Sequence, residues 1–375
     1  MLDFLTLKPE AFGLDISDLS LKIVKLKKRG KFLALASFGE EEIKPRIIKE
    51  GEIKDEKALI EIIKTAIKKV KGEKLKTKYV VASLPEEKAF LQVIQMPRMP
   101  EEDLKSAIIY EAENYIPLPI EQVYLDSQVI PPVYDHLDHF DVLIAVLPRE
   151  TINPYLSCLK SAGLQPLAFE IESQTIARAL IKNEATTSPV LLIDLGATRT
   201  SFIIFSGHSI RFTSSIPVSS KGFTEIISRN LRVNLAEAEK LKIKYGLGEE
   251  KIRLKAKDKK IKRGKGEIFE ALVPALVDLV QQIKRHLDYY RTHASHEHLP
   301  PSARGVSKIS LCGGGANLKG LPELLSLELK LPVEIGNPWI NVLPEDQKKT
   351  PKLSSEKSLG YTTAIGLALR AIKRE

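Results

Sequence analysis

Cysteine is scarce: Cys158 and Cys312 are the only two in 375 residues. A disulfide-stapled scaffold needs more, so the chain reads as one made for a reducing cytosol. Long apolar runs are missing too. No stretch approaches the ~18–20 apolar residues of a membrane-spanning helix. The opening MLDFLTLKPEAFG has neither an apolar signal core nor a small-residue cleavage site. The expectation is a soluble protein that is not exported, with Phe4, Leu5 and Leu7 in a tail or first strand rather than against a membrane. Ordered metal-ligand spacing is also lacking. Four of the seven histidines fall between His286 and His298, but no cysteine pair accompanies HASHEH, which reads as exposed loop and not as a zinc site. Cys312 has no histidine pattern beside it and reads as packing rather than as a nucleophile.

Positive charge is concentrated in one place. Net charge is +9 and the pI is near 9.2. Residues 251–265, KIRLKAKDKKIKRGK, hold nine basic residues against one acid, so removing them nearly cancels the excess. The run has no aromatic on which a base could stack. It is expected to be a solvated loop, and no nucleic-acid partner is expected.

What is present suffices for more than one core, since domains usually run ~100–200 residues. Residues 11–27 read as strand, tight turn, strand, and KFLALASFGEEEI continues in β fashion. DEKALIEIIKTAIKKV places Leu59, Ile62, Ile63, Ala66, Ile67 and Val70 on one helical face, and Gly72 stops it. A different texture follows. KAFLQVIQMP is a strand, and PEEDLKSAIIYEAENYIPLP is a helix expected to bury Leu104, Ala107, Ile108 and Tyr115 before Pro117 ends it. VYLDSQVIPP and FDVLIAVLP are strands, and RETINPYLSCLKSAGLQ is a helix closed by Gly163. Strand, helix, two strands and helix make residues 85–162 a small inserted α+β unit. A strand and helix at 166–182, a hairpin at 190–217 and a helical region at 219–246 follow. A long amphipathic helix carrying Pro274, a strand with a glycine turn and helix, and a closing helix complete the chain.

The pattern repeats. FGLDISDLSLKIVKL and LLIDLGATRTSFIIF align with Asp15 on Asp194, Leu14 on Ile193, Ile16 on Leu195, Ser17 on Gly196 and Ile23 on Phe202. Each has an apolar strand ending in a carboxylate, a tight turn and a second strand. Backbone N–H groups in such turns bind phosphate oxygens, and small residues let phosphates come close. Mg²⁺ prefers one or two carboxylates plus phosphates and keeps several waters. Two facing hairpins would clamp one polyphosphate. A third element, LCGGGANLKGL, runs from a strand through glycines into a helix start, where a base or phosphate commonly lies.

Two phosphate hairpins followed by a glycine loop are the order of the actin-like and sugar-kinase superfamily. Within it, the chain resembles FtsA and, more closely, the PilM family of type IV pilus assembly. The residues that carry this are MPEEDLKSAIIYEAENYIPLPIEQVYLD, IDLGATRTSF, LAEAEKLKIKYGL, IKRHLDYYR, CGGGANLKGLPELLSLELKLPVEIGNPW and AIGLALRA. The resemblance implies an α/β, actin-like (ribonuclease H-like) two-lobed ATPase fold. Its first lobe would comprise 1–84, 163–187 and 352–375. The inserted domain would be 85–162, and the second lobe 188–351 with a helical subdomain at about 219–300.

It further implies ATP and Mg²⁺. Asp15 and Asp194 would hold the metal through water. Ser17 and Lys22 of the first hairpin and Gly196, Ala197 and Thr198 of the second would face phosphates. Glu239 and Lys242, in AEAEKLK, resemble a ribose-binding pair, although an i,i+3 surface ion pair fits that spacing equally. Gly313, Gly314, Gly315 and Ala316 would back the adenine and α-phosphate. Glu172, opening the helix between the halves, is the candidate for orienting water; helix-dipole complementarity is its alternative. Hydrolysis is expected to be slow or absent. One departure stands out: Ser17 replaces the expected glycine and Asp18 follows, a carboxylate near phosphates and a turn that must avoid positive φ.

The implied partner is PilN, whose cytosolic N-terminal tail would enter the cleft between the first lobe and the inserted domain. Strands 88–95 and 140–147 and the helix 101–116 are the candidate lining, by strand addition or groove filling, with Tyr110, Tyr115 and Ile116 as groove residues or, the stronger reading, core positions. The chain would sit in the cytoplasm, recruited peripherally to the inner-membrane pilus subcomplex, with self-association open. Three alternatives remain: an FtsA-like division protein, disfavoured by the ending GLALRAIKRE with no separate anchor; a small-molecule kinase, for which no sugar-binding cluster is visible; and a pseudo-ATPase that no longer binds nucleotide, given Ser17 and Asp18.

Overall fold

The structure is a computed structural model that describes residues 9–30, 32–133, 138–248, 266–295, 298–300, 303–343 and 352–373. The basic run 251–265, Phe4, Leu5, Leu7 and part of HASHEH lie outside the described residues.

Strands β1 (Ala11–Ile16), β2 (Ser20–Arg29) and β3 (Phe32–Glu42) open the chain. A hairpin of β4 (Ile48–Lys49) and β5 (Glu52–Ile53) precedes α1 (Glu56–Lys69), β6 (Lys71–Gly72) and β7 (Tyr79–Leu84). All six residues of β1 are buried, as a continuous apolar run implies for a central strand. The periodicity of α1 works as read: Leu59, Ile63 and Ala66 are buried, Asp55 caps its N-terminus, and Lys68 and Lys69 sit at the negative end of its dipole.

Next come β8 (Phe90–Pro97), α2 (Glu101–Ala112), β9 (Val123–Val129) and β10 (His139–Pro148), with sheet order β8-β10-β9. Alternation on β10 gives this sheet two apolar faces. Val142, Ile144 and Val146 pack with Leu104, Ile108 and Ala112 of α2, while Leu143, Ala145 and Leu147 face the other way. Two expectations need correcting. Helix α2 stops at Ala112 instead of running to Pro117, and Tyr115, in the turn beyond, is exposed while Ile116 is buried. The turn rotates the chain, so the buried phase passes from 115 to 116.

Helix α3 (Arg149–Ser161), expected within the insert, shares its core with α1: Tyr155, Cys158 and Leu159 pack with Leu59 and Ile63. β11 (Gln165–Ile171) then completes the first sheet, in the order β11-β7-β1-β2-β3-β6.

After α4 (Glu172–Leu180) the design recurs. β12 (Thr186–Leu195), β13 (Thr200–Gly207) and β14 (Ser209–Ile216) are followed by α5 (Ser220–Leu231), α6 (Leu235–Tyr245) and α7 (Gly266–His293). Helix α7 continues through Pro274. β15 (Lys308–Cys312), α8 (Leu321–Leu329), β16 (Val333–Ile335), α9 (Ser355–Leu359) and α10 (Thr362–Lys373) finish the chain. The second sheet runs β14-β13-β12-β15-β16. In each sheet a central strand carries an antiparallel hairpin on one side and a parallel neighbour on the other. Leu14 pairs with Ile23 and Ala82; Ile193 pairs with Phe202 and Leu311. The shift that lays Asp15 on Asp194 also lays Lys22 on Ser201, their cross-strand partners.

Helices α4 and α10 lie between the two sheets. Leu367 packs toward the first, Ile176 and Leu180 toward the second. They approach so closely that a β-carbon on Gly366 would overlap the Thr175 carbonyl oxygen. This crossing joins the two halves of the molecule.

Candidate functional site

Both hairpins open onto one cavity of about 840 Å³ between the sheets. Asp15, Ser17, Lys22, Glu172, Asp194, Gly196, Ala197, Thr198, Glu239, Lys242, Gly313, Gly314 and Gly315 line it; Ala316 is buried just behind. The first turn is closed by Ser17, whose N–H donates to the Ser20 carbonyl at 2.9 Å and whose hydroxyl donates to the same oxygen at 3.0 Å. None of Ser17, Asp18, Leu19 or Ser20 has positive φ, so a serine is tolerated where glycine was expected. Asp18 is bound within the protein: its carboxylate accepts the N–H of Glu50 at 3.2 Å and of Gly51 at 3.1 Å. Hydrogen bonds from backbone N–H groups offset the charge that seemed out of place.

The second turn is held differently. The N–H groups of Ser220 and Lys221, opening α5, donate to the carbonyls of Gly196 and Ala197 at 3.0 and 3.2 Å. Gly313 completes the wall. It has φ +79°, and any β-carbon there would overlap Asp194 Oδ1 and stand 2.6 Å from the Leu195 carbonyl oxygen. Gly314 faces open space.

Carboxylates outnumber cations in this space. Burial raises Asp194 to about 6, with the nearby Asp15 adding and Lys22 opposing. Burial also raises Asp15, against the pull of Lys22 and a 3.1 Å hydrogen bond from the Ser83 hydroxyl. Glu172 goes well above the usual carboxylate range, through burial first and then the charges of Asp15, Glu87 and Asp194. Cys312 donates weakly to Asp194 at 3.8 Å, and burial keeps its thiol protonated, which suits packing and not nucleophilic attack.

Hard oxygen donors with excess negative charge fit a divalent cation. Among the described residues no three His, Cys, Asp or Glu side chains converge into a metal cage. The donor set therefore suits a cation that keeps its waters and completes its shell with ligand oxygens.

On the far wall Lys242 is almost fully engaged. Its ammonium donates to the Ser220 carbonyl and hydroxyl at 2.9 Å each, to Thr224 at 2.8 Å, and pairs with Glu239 at 2.8 Å. Lys242 thus ties α6 to the first turn of α5. Glu239 also accepts from Thr224, so the two acceptors and donors expected to face a ribose are partly used internally.

One buried acid escaped the sequence reading. Glu86 is buried and accepts the Ser173 N–H at 3.1 Å, capping α4 from the end of the neighbouring strand β7; burial raises its pKa. Nothing in PEEK distinguishes it from a surface acid. Beside the insert, where a cleft was expected, a groove of about 620 Å³ lies between the inserted sheet and the first lobe. Its floor is Leu84, Leu143, Ala145, Leu147, Ile152 and Leu156, and its walls are β9 from Tyr124 to Gln128 and β11 at Phe169 to Ile171. β9 and β11 are both edge strands of their sheets. Of the expected lining only the 140–147 strand contributes. The 88–95 strand turns instead toward β14, and Tyr110, Tyr115 and Ile116 lie on the α2 side of the insert, away from the groove.

Comparison with known proteins supplies relatives. Cell division protein FtsA of Neisseria meningitidis is 25% identical over 226 residues, 58% of this chain and 51% of that protein, so the alignment spans about half of that relative. The solved PilM–PilN type IV pilus biogenesis complex superposes with a TM-score of 0.78 at 28% identity, covering 98% of this chain and 100% of the other. An MreB protein of Spiroplasma citri bound to AMPPNP superposes at 0.55 with 14% identity over 97% and 96% of the two chains, a likeness of fold. The two-lobed actin-like architecture is thereby established. The model of the type IV pilus assembly protein PilM matches residues 13–372. With nearly its whole length inside that match, the chain belongs to the PilM family of type IV pilus assembly proteins.

Proposed function

We propose that this chain is an ATP-binding adaptor of pilus assembly, which holds Mg-ATP between its lobes and the N-terminal cytosolic tail of PilN in the groove beside the insert. The carrying observation is that two register-matched hairpins present Asp15 and Asp194 to one cavity. Ala197 and Thr198 would offer backbone N–H groups to phosphates, while Gly196, whose own N–H closes the turn on the Arg199 carbonyl, would let them come close; Lys22 and the turn at Ser17 would meet them from the other side. Mg²⁺ would supply the positive charge that this ring of carboxylates lacks, held by Asp15 and Asp194 through water. Gly313, Gly314, Gly315 and Ala316 would back the nucleoside, with Glu239 and Lys242 across from them. Burial and the neighbouring acids push the Glu172 carboxyl upward, which disfavours its charged form as an acceptor of water's proton and supports slow or absent hydrolysis.

The groove suits an extended peptide. Two open strand edges offer unpaired backbone groups along an apolar floor, the requirement for strand addition with side-chain pockets. The superposed complex pairs a PilM with PilN, and this supports PilN as the occupant. No helix among the described residues is long and apolar enough to cross a membrane, so attachment to the inner face of the cytoplasmic membrane would run through that tail. The test is calorimetric titration with Mg-ATP and with a synthetic PilN tail peptide. Micromolar binding of both, with Asp194→Asn weakening only the first and Leu143→Asp only the second, is the expected result. Binding of neither would remove the proposal.

A further inference from the structure

We infer that α3 carries the state of the first phosphate hairpin to the groove, with Asp18 and Tyr155 as positioning residues at the two ends of the link. The inference rests on the nucleotide and groove reading above and names how one site regulates the other. It begins at the turn between β4 and β5. Glu50 and Gly51 both have positive φ, +52° and +73°, as a two-residue primed turn requires. Their successive N–H groups point to one side and both meet the carboxylate of Asp18, at 3.2 and 3.1 Å. The carbonyl of the same Gly51 accepts the Tyr155 hydroxyl at 2.9 Å.

The turn has no slack. A β-carbon on Gly51 would stand 2.6 Å from Pro85 Cβ, so Asp18, Gly51 and Tyr155 move together or lose their hydrogen bonds. Tyr155 is fully buried, and that burial, with the surrounding acids, keeps its hydroxyl a donor. On its other side α3 borders the groove. Ile152 and Leu156 form part of the floor, and Tyr124 of β9 donates to Asn153 at 3.2 Å. Helix α3 is therefore clamped between the hairpin that faces phosphate and the strand edge that faces peptide. A ligand that shifts the hairpin shifts the floor of the groove, and linkage makes the effect reciprocal. The same geometry explains why an aspartate stands where a phosphate turn would ordinarily avoid one.

Amide hydrogen exchange of the full chain with and without Mg-AMPPNP tests this, in the wild type, Tyr155→Phe and Asp18→Asn. Nucleotide is expected to slow exchange in α3 by at least ~5-fold in the wild type, the lower end of ordinary allosteric coupling. In Tyr155→Phe the Gly196–Thr198 turn should still be protected while α3 no longer responds; Asp18→Asn, broken at the other end, should give the same split. The wild-type affinity for a PilN tail peptide should change several-fold with Mg-AMPPNP, and not in either variant. Equal α3 protection in wild type and both variants, or none in a wild type whose Gly196–Thr198 turn is protected, overturns the link. Protection of neither region overturns the nucleotide reading and the link with it, a visibly different outcome.

Discussion

The two hairpins share register and sheet position, yet their turns are secured by opposite means. The first uses its own acid: Asp18 reaches into backbone N–H groups more than thirty residues away. The second has Ala197 at the matching position and offers its carbonyls to the first N–H groups of α5. A carboxylate anchor binds the first turn to the rest of its own lobe, and so to α3. A helix N-terminus binds the second turn to α5, and through Lys242 to α6. The halves of a duplicated fold have thus divided their labour: one turn is built to transmit, the other to hold.

The largest effect should come from Gly313→Val. A side chain there collides with Asp194 whichever hairpin dominates, and positive φ adds strain. Nucleotide affinity measured by titration is expected to fall by more than ~100-fold, about 3 kcal/mol. Asp15→Asn and Asp194→Asn sharpen the comparison. Each should weaken Mg-nucleotide binding by roughly 10-fold or more, on the order of 1.4 kcal/mol, if both jaws serve one cation. A normal affinity in Asp15→Asn would mean that the second hairpin acts alone.

The pH dependence follows from the same charges. The folded-state pKa of Asp194, about 6, lies above its ordinary 3.8. Its contribution to stability is fully present below the ordinary value and is lost as pH rises through 6. Nucleotide-free protein should lose about 1 kcal/mol between pH 5 and 7 from this group, read by urea unfolding, and Asp194→Asn should abolish that slope. An unchanged slope in the variant would show that the charge is compensated. A further test is the contrast between the turns themselves. Asp18→Ala leaves two N–H groups without their acceptor and should cost about 1–2 kcal/mol, whereas Ala197→Ser, at an exposed site, should stay within ~0.5 kcal/mol. Equal costs would erase the distinction drawn between them.

Local pattern carried much of this. Both hairpins, the acids at their ends, the glycine turn and α1 were readable because strand alternation, helical periodicity and turn chemistry act over a few residues. The phase of Tyr115 and Ile116 was misread because nothing in EAENYIP marks where α2 stops. Lys242 was readable as a cleft residue, but its capture by Ser220 and Thr224 was not, because those partners come from another helix. A cleft beside the insert was expected from the sequence, while the walls of the groove found there, β9 and β11, depend on which strands end up at sheet edges.

The amino-acid sequence alone determined that two acid-tipped hairpins and a glycine turn exist, and in what order, since each is specified by its own short segment. Only the tertiary structure decided that they share one cavity, that Asp18 turns inward to Glu50 and Gly51, and that α3 borders both cavity and groove. These depend on contacts between residues far apart in the chain, whose partners are chosen by the packing of whole sheets and helices rather than by any local preference.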